Sequence, residues 1–81
     1  MITELLLTFP NTKTAITAER TLLAAELHVT VRPMPEALSA QCGIVLCLPA
    51  GELETGTAAL AAVGIEVSAI YQLRDGELRP L

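Results

Sequence analysis

The chain has 81 residues and a net charge of −4, and 52% of its residues are hydrophobic, so it is one small folded domain rather than a disordered chain. Five basic residues against nine acidic ones, with one Tyr, one Phe and no Trp, argue against nucleic-acid binding. Such binding needs basic groups for the phosphates and aromatic rings for unstacked bases.

The first part of the chain predicts a strand, a helix and a second strand. An apolar strand covers residues 5–10, and a helix starts near Asn11 or Thr12, whose side chains favour helix N-termini. Alternating polarity at residues 27–31 predicts the second strand. Apolar residues of the helix recur at three-and-four spacing and are expected to face the core: Ala15, Ile16, Ala18, Leu22, Leu23 and Leu27.

The second part repeats this order. Residues 44–49 predict a buried strand, and the next helix begins with Glu52 and Glu54, which suit the positive end of a helix dipole. Gly56 should weaken this helix by about 1 kcal/mol relative to Ala. The side chains expected to face the core are Leu53, Leu60 and Val63. Residues 65–69 alternate and predict the fourth strand.

Two strand–helix–strand units predict an α+β fold. We expect a ferredoxin-like βαββαβ sandwich, with a four-stranded antiparallel sheet and both helices on one face. Residues 1–73 should form this single domain. Residues 74–81 are a C-terminal extension, in which Asp75 and Gly76 favour a hairpin.

The compartment follows from the apolar segments and the cysteines. The apolar segments are far shorter than the roughly 20 residues of a membrane-spanning helix, and Met1-Ile2-Thr3-Glu4 lacks the basic stretch of a signal peptide. We therefore expect a cytoplasmic protein without membrane contact. Its two cysteines should stay reduced there.

One connection places a thiol beside a glycine at the start of the third strand. In the predicted topology, Cys42 and Gly43 lie at the same end of the sheet as the N-terminus of the first helix. Asn11 and Thr12 could stabilise a thiolate there, and Gly43 would let a partner approach closely. Free cysteines are often small buried hydrophobes, so both interpretations of Cys42 stay open at this point.

The other reactive residues are weaker candidates for a functional site. Cys47 lies in mid-strand and is interpreted as a core or sheet-face residue. An extended chain would hold Cys42 and Cys47 roughly 16 Å apart, beyond the limit of about 7 Å for a disulfide. His28 is expected to cap a helix end or face solvent. One histidine, two cysteines and one aspartate match no zinc-site spacing and argue against a metal site or a catalytic triad.

Alternation along the strands predicts apolar side chains on the sheet face without helices. The expected patch comprises Leu6, Val45, Cys47 and Ile70, with a polar rim of Thr8, Thr30, Arg32 and Ser68. Because exposed apolar surface is unfavourable in water, we expect a homodimer or a stable hetero-complex through this face.

These parts occur in an order that resembles a known family. The segments that carry the resemblance are Thr8-Phe9-Pro10-Asn11, Ala18-Glu19-Arg20, Val31-Arg32-Pro33-Met34-Pro35, Ser39, Cys42-Gly43, Gly64-Ile65-Glu66-Val67 and Ile70-Tyr71. Over residues 5–73 the chain resembles the small bacterial domains described as putative Se/S carrier protein-like. The resemblance implies a compact α/β domain in which Cys42 holds sulfur or selenium as a persulfide or selenosulfide.

The resemblance therefore implies a carrier, not an enzyme, that needs no cofactor and serves a sulfur- or selenium-transfer protein. Cys42 would carry the atom, beside Gly43 and the stabilising pair Asn11 and Thr12. The alternative is a structural or regulatory interaction module that oligomerises through its open sheet face, with Cys42 merely packed. A thiol-dependent redox enzyme ranks last, because no resolving cysteine lies within reach.

Overall fold

The computed structural model describes residues 3–35 and 43–81 of the chain. The elements are β1 (Glu4–Thr8), α1 (Thr12–Ala24), β2 (Thr30–Pro33), β3 (Ile44–Pro49), a 3-10 turn (Ala50–Glu52), α2 (Leu53–Ala62), β4 (Ala69–Arg74) and β5 (Glu77–Pro80). The strands form one antiparallel sheet in the order β2-β3-β1-β4-β5. The α+β class is confirmed, but the prediction of four strands is wrong, because the described residues form a sheet of five.

The fifth strand depends on a tight turn. Asp75 and Gly76 both have positive φ, 51° and 78°, which is the backbone that a two-residue turn between antiparallel strands requires. Arg74 therefore pairs with Glu77, and β5 continues along β4 as far as Pro80 opposite Tyr71.

The second and fourth strands start several residues later than the alternation indicates. The amide of Leu27 donates to the carbonyl of Leu22 at 3.1 Å, and the amide of Ile65 donates to that of Leu60 at 2.9 Å. Each bond closes a helix end after a residue with positive φ. Residues that the pattern places in strands are therefore used to terminate α1 and α2.

The main core lies between the helices and one face of the sheet, here called the helix-side face. Its buried members are Leu5, Leu7, Phe9, Ala15, Ala18, Leu22, Val29, Leu46, Leu48 and Leu60. The expectation that Ile16, Leu23 and Val63 face this core is wrong, since all three are exposed. Contact along α1 runs through Ala15, Ala18 and Leu22, a stripe too narrow to include the flanking positions.

Gly56 is a packing residue rather than only a weak point of α2. A Cβ atom at this position would lie 2.9 Å from Cδ2 of Leu48 and 3.3 Å from Cδ2 of Leu22. The missing side chain lets α2 approach both the sheet and α1. The expected cost of about 1 kcal/mol in helix propensity is thus accompanied by a packing requirement that sequence patterns do not show.

The other face of the sheet, here called the open face, carries a second apolar cluster. Leu6, Val45 and Cys47 form it, as their strand positions predict, but the expectation that they are exposed is wrong because all three are buried. Four partly buried side chains pack against the cluster: Met34, Tyr71, Leu73 and Leu78. Ile70 was expected here and instead packs on the helix-side face, because its register partner is Leu7.

Candidate functional site

Three of the site residues expected from the sequence, Asn11, Thr12 and Gly43, lie at one end of the sheet, here called the upper end, where β1 ends and β3 begins. Leu7 pairs with Leu46 and Pro33 pairs with Ile44, so the exit from β1, the exit from β2 and the entry to β3 lie at this end. Gly43 directly precedes β3, is exposed, and accepts a hydrogen bond from the Met34 amide at 3.0 Å through its carbonyl oxygen. Cys42, the expected carrier thiol, lies outside the described residues.

Asn11 caps the N-terminus of α1. Its side-chain oxygen accepts a hydrogen bond from the Thr14 amide at 2.8 Å, and its extended backbone is typical of a cap. This occupies the Asn11 acceptor, while its side-chain amide has no acceptor in residues 3–35 and 43–81. Within the described residues, the amides of Thr12 and Lys13 have no hydrogen-bond partner, so they carry the partial positive charge of the helix end.

Cys47 has the opposite properties to a reactive thiol. It is 1% exposed, in the middle of the open face, which confirms its interpretation as a core or sheet-face residue. Burial raises the pKa of its thiol; Arg32 and a hydrogen bond with Thr30 act in the other direction, while the charge of Glu4 raises it further. Cys47 is therefore both protonated at neutral pH and inaccessible.

A groove of about 530 Å³ crosses the open face beside the covered cluster. Its lining is mainly apolar, with Arg32 and Glu77 as charged members; the other lining residues are Leu6, Pro33, Pro35, Val45, Leu73, Gly76 and Leu78. The hairpin of β4 and β5 forms one wall of the groove. The sequence indicated this hairpin through the Asp75-Gly76 turn, but it did not indicate the groove itself. The open face therefore has a groove where strand alternation predicted an exposed apolar patch.

His28 and Glu52 form a contact at the lower end of the sheet, away from Gly43. His28 is exposed, as expected, with 82% of its side chain accessible. Its Nδ1 lies 2.6 Å from Glu52 Oε2, and its backbone amide donates to Glu52 Oε1 at 2.7 Å. The interpretation of Glu52 as a helix-dipole residue missed this partner, which lies 24 positions away along the chain and gives no local signal.

The described part of the chain holds no group of three or more His, Cys, Asp or Glu side chains that could bind a metal ion. Neither helix among residues 3–35 and 43–81 has the length and hydrophobicity to cross a membrane.

Comparison with known proteins supports the resemblance noted from the sequence. The model of the family described as Putative Se/S carrier protein-like matches residues 4–72, which is most of the chain. No curated protein and no solved structure gives a significant match. Because the family match spans β1 through nearly all of β4, and includes the Pro33–Pro35 and Cys42-Gly43 segments, the chain belongs to the Putative Se/S carrier protein-like family.

Proposed function

We propose that this protein carries a single sulfur or selenium atom on Cys42 and delivers it to a partner protein. The observation that carries the proposal is the state of Cys47. The chain has two cysteines, and Cys47 is buried with the pKa of its thiol raised by burial. A member of this family that carries an atom on a cysteine must therefore use Cys42.

The surroundings of Gly43 support this choice. Gly43 is exposed, and a Cβ atom built on it would meet no atom of residues 3–35 or 43–81 within 4 Å, so the described part of the chain leaves room for a partner at this position. The upper end of the sheet also carries the start of α1, where the amides of Thr12 and Lys13 attract an anion. Asn11 contributes its side-chain amide and fixes the helix start.

The transfer needs thiol chemistry alone. The Cys42 thiolate attacks the outer sulfur of a donor persulfide, the S–S bond of the donor breaks, and the donor leaves as a thiolate. Cys42 then holds the sulfur as a persulfide, and an acceptor thiolate removes it by the same step. The protein acts as a stoichiometric carrier without a cofactor, and we place it in the cytoplasm, where thiols stay reduced.

Mass spectrometry tests the proposal directly. The protein is incubated with a persulfide donor such as glutathione persulfide, and intact mass reports the addition of one sulfur atom, whose position is then mapped. Wild type and Cys47→Ser should gain the atom, and Cys42→Ser should not. A sulfur atom that maps to Cys47, or a Cys42→Ser variant that loads as wild type does, would reject Cys42 as the carrier.

A second candidate is a non-catalytic interaction module that binds a partner or a second copy through the open face. The groove between the β4–β5 hairpin and β2 favours it, although burial of Leu6 and Val45 leaves less apolar area than the dimer prediction assumed. Light scattering of wild type beside Leu78→Glu tests it. Assembly that this variant abolishes, with a Cys42 that resists alkylation in the folded protein, would favour the module over the carrier.

We also infer that β1 to β4 and the two helices have the ferredoxin-like arrangement. The order β2-β3-β1-β4 supports it, together with helices that connect β1 to β2 and β3 to β4 on the same face. The strand β5 is then an addition outside β4.

A further inference from the structure

We infer that the ion pair between Arg32 and Glu4 is a strap that closes the open face over Cys47 and keeps this second thiol out of sulfur transfer. The role in transfer rests on the proposed function, whereas the covering of Cys47 is argued from the sheet register, the ion pair and the burial of the thiol.

The register places Cys47 under the line that joins the two charged residues. On the open face, Cys47 of β3 has Leu6 of β1 on one side and Thr30 of β2 on the other. Glu4 lies two residues before Leu6, and Arg32 lies two residues after Thr30. Because both neighbouring strands run antiparallel to β3, these two residues occupy opposite corners around Cys47.

The distance between the corners determines where the side chains lie. Two strand spacings of about 4.8 Å and four residues of about 3.4 Å separate the Cα atoms of Arg32 and Glu4 by roughly 17 Å. The Arg32 Nη2 nevertheless lies 3.2 Å from Glu4 Oε1. Both side chains must therefore reach towards each other across β3, and the line that joins them crosses the level of Cys47.

The exposed fractions of Arg32, Glu4 and Cys47 are those expected if the two charged side chains cover the thiol. The side chains of Arg32 and Glu4 are 49% and 35% exposed, while Cys47 is 1% exposed. The charged side chains therefore stay in contact with solvent while the thiol is withdrawn from it, as a strap over Cys47 requires. A thiol accepts sulfur from a persulfide only when it is ionised and accessible, so the strap leaves Cys47 unreactive.

Arg32 and Glu4 have opposite charges, so they affect the Cys47 thiol in opposite ways. Arg32 favours the Cys47 thiolate and Glu4 disfavours it, in addition to the larger effect of burial on the thiol pKa. Removing either residue opens the same strap, but removing Glu4 leaves the cation behind and removing Arg32 leaves the anion. The two variants should therefore share increased access and differ in how thiol reactivity depends on pH.

Labelling of Cys47 tests the strap. All variants are made in a Cys42→Ser background, so that Cys47 is the only thiol and the result does not depend on whether Cys42 is a carrier. N-ethylmaleimide is added to the folded proteins, and the rate at Cys47 is measured for Arg32→Gln, Glu4→Gln and Arg79→Gln. Arg79→Gln is the matched control, since it breaks an exposed Arg–Glu pair within β5.

We expect Arg32→Gln and Glu4→Gln to raise the labelling rate at least tenfold, with Glu4→Gln reaching half-maximal rate at the lower pH. Arg79→Gln should label at the rate of the background protein. Unchanged rates in both strap variants would overturn the inference. So would rate increases no larger than the change in the unfolding equilibrium measured in urea, because labelling would then pass through global unfolding. Failure of the proposed function would appear separately, as no sulfur on Cys42 in the wild type.

Discussion

The carboxylate of Glu52 holds His28 at two points, its backbone amide at 2.7 Å and its ring Nδ1 at 2.6 Å. This contact ties the connection between α1 and β2 to the 3-10 turn that leads into α2. His28 and Glu52 lie 24 positions apart in the chain, and their contact fixes the position of the 3-10 turn.

The contact predicts a pH dependence of stability. The hydrogen bond and charge of Glu52 raise the pKa of His28 above 6.5, and the hydrogen bonds with His28 lower the pKa of Glu52 below 4.5. The His28 contribution is complete below pH 6.5 and is lost as pH rises through its folded pKa. The Glu52 contribution is complete above pH 4.5 and is lost as pH falls.

Stability from this pair should therefore peak between about pH 4.5 and 6.5. Urea unfolding of wild type should show a lower midpoint at pH 8 than at pH 5.5, and His28→Gln should reduce that difference. Glu52→Gln should reduce it too and lower both midpoints, because the backbone amide of His28 also loses its charged acceptor. Equal pH dependence in all three proteins would contradict the assignment.

Gly56→Ala should destabilise the protein although alanine favours helices. The added methyl group would lie 2.9 Å from a methyl carbon of Leu48, and overpacking of this kind costs about 1–3 kcal/mol, against about 1 kcal/mol gained in helix propensity. We expect a net loss of about 1 kcal/mol in the free energy of unfolding, measured in urea. Gly51→Ala is the control, since its Cβ would meet nothing within 4 Å. A stabilised Gly56→Ala would show that the interface yields easily.

The sequence predicted those features that depend on neighbours in the chain. Period-two alternation correctly separated Leu5 and Leu7 from Leu6, and β3 has its predicted bounds, Ile44–Pro49. The contact between Arg32 and Glu4 spans 28 positions and exists only once the register is set. No local pattern could have indicated it.

The wrong prediction for the fourth strand also shows that local patterns do not report contacts between distant parts of the chain. Alternation from residue 65 turned Ile70 towards the open face, but the amide of Ile65 is used to close α2, and β4 begins at Ala69. Pairing with Leu7 then sets the orientation of Ile70. The register of β4 on β1 therefore decided a side-chain orientation that polarity alone assigned wrongly.

Val45→Glu should destabilise the single chain. Because Val45 is fully buried in the open-face cluster, a carboxylate there would lose its hydration, and we expect a loss of about 3 kcal/mol or more. Val31→Glu is the matched control, since Val31 is exposed on the neighbouring strand and should change stability by less than about 1 kcal/mol. Urea unfolding with circular dichroism detection compares them, and equal stability of the two variants would contradict the burial of Val45.

The two cysteines should differ in what a Cys→Ser substitution does. Cys47→Ser places a hydroxyl in the apolar cluster and should cost about 1–3 kcal/mol. Cys42→Ser is expected to change the free energy of unfolding by no more than about 1 kcal/mol, because the proposed carrier thiol would act through its reactivity rather than its packing. Thermal unfolding of both variants measures the difference. A loss of several kcal/mol in Cys42→Ser would identify Cys42 as a core residue instead.

Substitutions of Asn11 separate the helix cap from the proposed stabilisation of the Cys42 thiolate. Asn11→Asp keeps the side-chain acceptor for the Thr14 amide and suits the helix dipole, so stability should be retained or slightly increased. Its negative charge should nevertheless slow alkylation of Cys42 by iodoacetamide at pH 7, because it would oppose the proposed thiolate.

Asn11→Ala should show the converse pattern. Loss of the cap should cost about 1 kcal/mol of stability, while the backbone amides of Thr12 and Lys13 stay in place. Alkylation of Cys42 should then be slowed less than in Asn11→Asp. High salt should bring the Asn11→Asp rate back towards wild type if the effect acts through charge. An Asn11→Asp variant that reacts as fast as wild type at low salt would remove the start of α1 from the carrier site.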